Sequence, residues 1–475
     1  MPLVLTPQLQ TPEPLHGVRA ALAYASFFRD PVRAIMQSFR KFGPIVVLGD
    51  VIPRADERLR VLALGPDFNR QVLGQPEVFH TLRLTVPAPR GSAHGRLSRG
   101  LAALNGGHHE AERRLAAPFF NTAAVAGLHQ RSLRVFAARL EGWTPGRTID
   151  FWQEALKLMM GAAVVSLFGE KRQQAGIALG ARLHDWLHST WSYRVLLFPF
   201  NLPGAPYRRM LRTAEDLERG ILSELEQHGE EIREGGGLLA EWANARAGMP
   251  QDSLGPTAGQ ISTLFLASFE TSVNALAWTA FLLAQHPEVQ AAVGEELDGL
   301  LQGAPPAEEQ IGNLPLLEAV IKESMRLVPP VPYTIRRVKE PAEVGGVNLR
   351  RGDVVILSHY FTHHMPELYS DPQKFRPDRW EKLNPNQYEY LPFNAGPRRC
   401  IGYHFAMTVL KTSLALIFQR YRLSVVPMVK IDRAVEVSMR PRHGLPMVIH
   451  GRDHALVTAP VRGDILEMVD LPPPS

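Results

Sequence analysis

Between Ile261 and Ala284 the chain reads ISTLFLASFETSVNALAWTAFLLA, long and apolar enough to cross a bilayer, yet with Glu270 and Asn274 near its middle. A carboxylate at the centre of a membrane span costs about 3 kcal/mol or more. The same pattern suits a helix packed on every side inside a large protein, where polar groups persist if a partner or a site uses them. The segment therefore predicts a central buried helix and no transmembrane anchor, and the rest of the chain must supply layers around it. With 475 residues, 45% hydrophobic and 21% charged, there is enough material to do so.

Helical periodicity dominates elsewhere, in DPVRAIMQSFRKFG, GLHQRSLRVFAARLEGW, ALKLMMGAAVVSLFG and MLRTAEDLERGILSELEQHGEEIREGG. Strand-like stretches are few and short: PIVVLGD, LRVLALG and GDVVILS. The expected class is mainly α with small β-sheets. No repeat recurs and no polar linker is long enough to separate domains. Residues 1–475 therefore read as a single domain, with about 451–475 as a C-terminal extension that frays at VDLPPPS. One cysteine excludes an internal disulfide, and prolines interrupt MPLVLTPQLQTPEPLHG where a signal or transit peptide needs an unbroken pattern. A cytoplasmic location is the expectation. The formal charge of +5 is spread over scattered Lys and Arg, which fits an acidic protein partner better than nucleic acid.

The chain has no G-x-S-x-G, no G-x-x-x-x-G-K-[ST] and no G-x-G-x-x-G after a strand, so nucleophile-elbow and nucleotide chemistry lack support. Zinc fares little better. Cys400 and His404 lie four apart, and His108/His109 and His363/His364 are pairs, but a structural site needs four converging ligands and these are scattered. Cys400 itself sits in FNAGPRRCIG, just ahead of the amphipathic GYHFAMTVLKTSLALIFQRY. A helix N-terminus favours the thiolate, the form that ligates a metal. A lone cysteine used as a small buried hydrophobe leaves the surrounding glycines and arginine unexplained.

That loop matches F-x-x-G-x-R-x-C-x-G through Phe393, Gly396, Arg398, Cys400 and Gly402, with Ala406 following, and on this ground the chain resembles the cytochrome P450 family. The resemblance implies the P450 fold, with the long central helix over haem b (iron protoporphyrin IX) and the cysteine loop beneath it. It implies Cys400 as the axial ligand of the haem iron, Phe393 covering the sulfur side, Arg398 paired with a propionate, and Gly402 and Ala267 among the haem contacts. ESMR and FRPDRW supply Glu323, Arg326 and Arg379, matching the family's E-x-x-R and its third member. Their implied role is structural, two arginines around one carboxylate pinning the chain between Trp380 and Phe393. In GGHHEAERRLAAPFF, His109 and Arg113 match a segment in which Trp or His precedes a propionate-binding Arg by four residues, and Arg336 in PPVPYTIRR falls where many members place another such contact. ASFETS matches A-G-x-[DE]-T through Ala267, Glu270 and Thr271, with Ser268 where glycine is common. Glu270 and Thr271 are the implied catalytic acid and alcohol, ordering water and relaying protons.

The implied activity is reductive activation of O2, with one oxygen atom inserted into a lipophilic small organic substrate by hydroxylation or epoxidation. No flavin or ferredoxin segment is visible, so electrons are expected from a separate ferredoxin or flavodoxin with its reductase, met by Arg114, Arg399 and Lys411. Leu196, Leu197, Phe198 and Phe200 suit a lipophilic pocket, while Arg83, Arg90, Arg96 and Arg99 are candidates for a substrate carboxylate. Two other classes are compatible with a haem-thiolate centre: a peroxygenase, or an isomerase or dehydratase, working without a reductase, and a non-catalytic haem-binding sensor. The acid and alcohol pair argues against both.

Overall fold

The computed structural model describes residues 13–50, 58–82, 86–250, 252, 254–455 and 457–474, and it is mainly helical with small sheets. The chain divides into two compact units: Met1–Leu82 with Val331–Pro372 and Asn384–Cys400, and Arg83–Pro330 with Gln373–Leu383 and Ile401–Ser475. Each is assembled from separated stretches, so no single linker marks the division in the sequence.

In the first unit the three strand-like stretches become Ile45–Leu48, Arg60–Ala63 and Val354–Ser358, joined by Tyr333–Val338 and Phe79–Thr81 in a five-stranded sheet. Arg60–Ala63 runs parallel to Val354–Ser358, and the other neighbours are antiparallel. Successive strand residues face opposite sides. Val61 and Ala63 accordingly enter one core with Val72, Phe79, Val338 and Leu357, while Leu62 and Leu64 enter another with Ile35, Val46 and Ile356. Ile35 comes from the helix Pro31–Phe42, whose start is capped by Asp30 accepting from the Arg33 N–H at 3.1 Å. Leu391 and Ala395 belong to the first core, which anchors the segment leading to Cys400.

The second unit is organised by the helix Thr257–Gln285, 29 residues and therefore about 44 Å long. It packs on Phe151–Leu167, Pro315–Leu327 and Tyr403–Arg420. Among the described residues no helix is long and apolar enough to cross a membrane. Within the C-terminal extension, Ile465, Met468 and Val469 are buried, and bridges tie Arg462 to Lys430 and Asp470 to Lys374. The 3-10 helix at Asp464–Glu467 is a single turn, too short a pattern to be seen as an element in the sequence.

Candidate active site

In the first unit, Cys400 is exposed at the end of its loop. Its N–H donates to the Phe393 carbonyl at 2.8 Å, Arg399 N–H to the Gly396 carbonyl at 3.0 Å, and Gly396 N–H to Gln387 Oε1 at 3.1 Å. Gly396 has φ +66°, and a Cβ there would stand 2.4 Å from the Leu73 carbonyl oxygen, so both conformation and space demand glycine. Arg336, only 4% exposed, donates to Thr334 Oγ1 at 2.7 Å and to the Ile335 carbonyl at 3.0 Å. Burial, and after it the positive charge of Arg398, lowers its pKa to about 10. Two guanidiniums that repel each other, one of them buried and the other half-buried, favour an anion between them. His359, which the sequence reading missed, adds to this cluster. Its Nδ1 bonds the Val331 carbonyl at 2.9 Å, its buried Nε2 has no hydrogen-bond partner among the described residues, and burial with repulsion from Arg336 lowers its pKa to about 4.

In the second unit, every residue of the central helix from Ala258 to Gln285 is buried except Thr263, Ala267 and Thr271. Their four-residue spacing makes one open stripe on an otherwise covered helix. Ser268, beside the stripe, turns its hydroxyl back onto the Phe265 carbonyl at 2.6 Å, and Thr279 does likewise onto Ala275 at 2.7 Å. Thr271 Oγ1 makes no such bond to any described residue.

Glu270, buried and one residue earlier, is held by three groups from two other segments, the helix Gln173–Ser189 and the stretch around Ser438. His184 Nδ1 lies 3.0 Å from Oε2, His188 Nε2 3.3 Å from Oε1, and Ser438 donates to Oε1 at 3.2 Å. Burial alone would raise the pKa of this carboxyl, but the two histidines outweigh it and lower the value to about 2. Burial likewise opposes the charging of His188. Its contacts with Glu270 and with Glu436, whose Oε2 is 2.8 Å from Nδ1, nevertheless raise its pKa to about 9. Asn274 closes the network, accepting from Trp152 Nε1 at 2.8 Å and donating to Ser438 Oγ at 2.7 Å. A cavity of about 540 Å³ opens on His184, His188, Trp152, Trp191, Arg194 and Glu436. None of Glu270's partners was found from sequence. The available signal was the four-residue spacing of His184 and His188 in RLHDWLHST, which puts both on one helix face.

Glu323, Arg326 and Arg379 do come together, and all three are buried. Arg326 forms a two-pronged pair with Glu323 at 2.9 and 2.8 Å, and Arg379 Nε reaches Oε1 at 2.9 Å. Trp380 Nε1 at 3.1 Å and the Arg376 N–H at 3.0 Å complete the carboxylate's partners, and neither was anticipated. His109, buried, and Arg113 share the helix Gly106–Ala116 four residues apart. Gly402 is the residue just ahead of the helix Tyr403–Arg420.

Several expectations fail. Lys411 is no surface cation: it is buried and bonded to Glu318 at 2.6 Å, because the acid sits beside it on Pro315–Leu327. Arg114 and Arg399 are exposed as expected. Arg96 is committed to Glu218 through two bonds at 2.6 and 2.5 Å, while Arg90 and Arg99 are exposed. Leu196, Phe198 and Phe200 are 41%, 62% and 60% exposed and are not among the residues lining the cavity beside His184 and His188. The helix Tyr193–Leu197 is short, and among its described side chains Val195 is buried. Arg83 and the Leu197 side chain lie outside the described residues.

A family model described as Cytochrome P450 matches residues 7–445. Cyclooctat-9-en-7-ol 5-monooxygenase of Streptomyces melanosporofaciens is 31% identical over 377 residues, 77% of this chain and 80% of that protein. Cyclooctatin synthase of the same organism is 30% identical over 408 residues, 82% and 86% of the two chains. The structure of retinoic acid-bound cyanobacterial CYP120A1 superposes with a TM-score of 0.75 at 22% identity, covering 93% of this chain and 99% of that one, and shares the fold. The chain belongs to the cytochrome P450 family. It is an enzyme, an oxidoreductase of the monooxygenase kind, in a family whose cofactor is haem.

Proposed function

We propose that this enzyme inserts one oxygen atom from O2 into a lipophilic small molecule, with haem b on Cys400 and electrons from a separate ferredoxin or flavodoxin system. The observation that carries the reading is the stripe of Thr263, Ala267 and Thr271, the face left uncovered on a helix buried everywhere else from Ala258 onward. A flat apolar group suits the methyl of Ala267. Two further features support haem: the exposed Cys400 in a loop closed by hydrogen bonds, and the Arg336 and Arg398 pair, which calls for an anion such as a propionate. His109 and Arg113 would serve the same carboxylates, and Phe393 and Gly402 would border the thiolate. When bound, haem supplies O2 binding and oxygen-atom transfer.

The chain's own residues do the rest. Cys400 offers the thiolate, and Thr271 offers a hydroxyl not already spent on its own backbone. Glu270 offers a carboxylate fixed by His184, His188 and Ser438, so the acid of the pair cannot swing freely. A lipophilic substrate is supported by the substrate named for the Streptomyces relative, cyclooctat-9-en-7-ol, and a cytoplasmic site of action belongs to the same reading. The test is turnover under isotopically heavy O2 with a ferredoxin-type donor and a lipophilic cyclic alcohol. One heavy oxygen atom per product is expected. Product formed without reductant, or without the label, would favour an isomerase or dehydratase instead.

Thr271→Ala removes the unbonded hydroxyl and nothing that holds the helix. The variant should keep haem content and carbon monoxide binding, and still consume reductant. More of that reductant should end as hydrogen peroxide, with product per electron falling on the order of tenfold. Coupling equal to wild type, measured with a confirmed substrate, would remove Thr271 from the proton path.

Electron delivery should weaken with salt, since exposed cations meeting an acidic carrier are screened over about 10 Å at 0.1 M ionic strength. Arg399→Glu and Arg114→Glu should each slow reduction, whereas Lys411→Glu should damage the fold instead, because Lys411 is buried against Glu318. A reduction rate indifferent to both salt and the two exposed substitutions would place the donor elsewhere.

A further inference from the structure

We propose that His184, His188 and Glu270 form a binding site for one divalent transition-metal ion, with Glu436 as the outer carboxylate that orients His188. The three ligand atoms all lie within 4.8 Å of one another. The two imidazoles come from one helix, Gln173–Ser189, at a spacing of four residues that sets both on the same face. Glu270 faces them from the central helix. Zinc bonded at about 2.0 to 2.1 Å in a tetrahedron keeps its donors about 3.3 to 3.4 Å apart. The contacts from His184 Nδ1 and His188 Nε2 to the carboxylate, 3.0 and 3.3 Å, are close to that spacing.

The approach of His188 is informative in its direction as well as its length. Nε2 is buried and lies 3.3 Å from Glu270 Oε1, a contact that falls short of a well-formed hydrogen bond, so the atom aimed at the carboxylate is held chiefly by charge. On the other side of the ring, Nδ1 meets Glu436 at 2.8 Å. A ring with one nitrogen on a carboxylate and the other directed into a donor cluster is the arrangement by which metal-bound histidines are oriented and made more basic. Arg440 holds that outer carboxylate from a third side at 3.2 Å. The adjoining cavity gives an ion a way in and room for a water as fourth ligand. Two imidazoles and one carboxylate suit zinc, copper or nickel better than calcium or magnesium, which prefer all-oxygen sites. On binding, the ion displaces the Nε2 proton of His188 to solvent, its Nδ1 proton staying hydrogen-bonded to Glu436, and the Nδ1 proton of His184 moves to its Nε2.

An occupied site would withdraw Glu270 from the acid and alcohol pair and so inhibit turnover. This consequence rests on the role proposed above for Glu270; the binding itself does not.

Zinc is the probe. The haem-loaded full chain, stripped with chelator, is titrated with Zn2+ against a chromophoric competitor, and turnover is not the readout. One tight zinc per chain is expected. Glu436→Gln, which touches the ring and not the ion, should weaken it about tenfold, and His188→Gln and His184→Gln by more than that. His454→Gln, in the stacked surface pair with His450, should leave the tight site intact. Melting temperatures and haem content of each variant separate lost binding from lost fold, and Glu436→Gln carries the test if a histidine variant folds poorly. Wild-type zinc affinity in both His188→Gln and Glu436→Gln, or loss only in His454→Gln, would overturn the site.

Discussion

Glu323→Ala should leave too little folded, haem-loaded protein to assay. The carboxylate is fully buried and accepts from Arg326 twice, from Arg379, from Trp380 Nε1 and from the Arg376 backbone. Removing it leaves two buried guanidiniums without their carboxylate, at a cost of about 3 to 5 kcal/mol, a large share of the roughly 5 to 15 kcal/mol that holds a typical protein folded. The damage is not confined to the pair. Residues 374–380 are tied to the helix Pro315–Leu327 through this carboxylate and through Arg326, which also reaches the Lys374 carbonyl, and the chain runs on from there to the cysteine loop. Glu323→Gln keeps an acceptor and loses the charge, so it should fall between the alanine variant and wild type. Soluble yield, haem per chain and melting temperature are the measurements. Wild-type values for Glu323→Ala would mean that the buried set contributes nothing to the folded state.

What could be read in advance was whatever is local or ordered along the chain. The central helix shows itself in 24 residues of apolar sequence, and the strands at Ile45, Arg60 and Val354 in short β-branched runs. The cysteine loop and the Glu323 set are legible because their members keep fixed spacing. What stayed hidden was partnership across distance. Glu270 meets His184 from 86 residues away and Ser438 from 168, and no local pattern encodes such a meeting. Lys411 reads as a surface cation until Glu318 is found against it. Leu196, Phe198 and Phe200 read as pocket lining, because an apolar residue carries no mark of which side of a short helix it will take. Ser268 shows the opposite case. It looks like an obstruction at a position where glycine is common, and its hydroxyl is instead turned back onto Phe265.

Cys400 is the residue on which haem-thiolate chemistry in this chain depends. Its loop is shaped by Gly396, which no other residue could replace without meeting the Leu73 carbonyl, and by the bond from its own N–H to Phe393, and both would persist in Cys400→Ser. The substitution exchanges sulfur for oxygen at one exposed atom, so it asks about the ligand and little else. The most direct measurement is the absorbance of the reduced, carbon monoxide-bound protein, wild type beside Cys400→Ser. A thiolate ligand pushes electron density onto the metal and gives the strongly red-shifted Soret band of a haem-thiolate carbonyl complex. Wild type should show that band and Cys400→Ser should lose it entirely. A red-shifted band surviving in Cys400→Ser, or absent from haem-loaded wild type, would contradict thiolate ligation by Cys400.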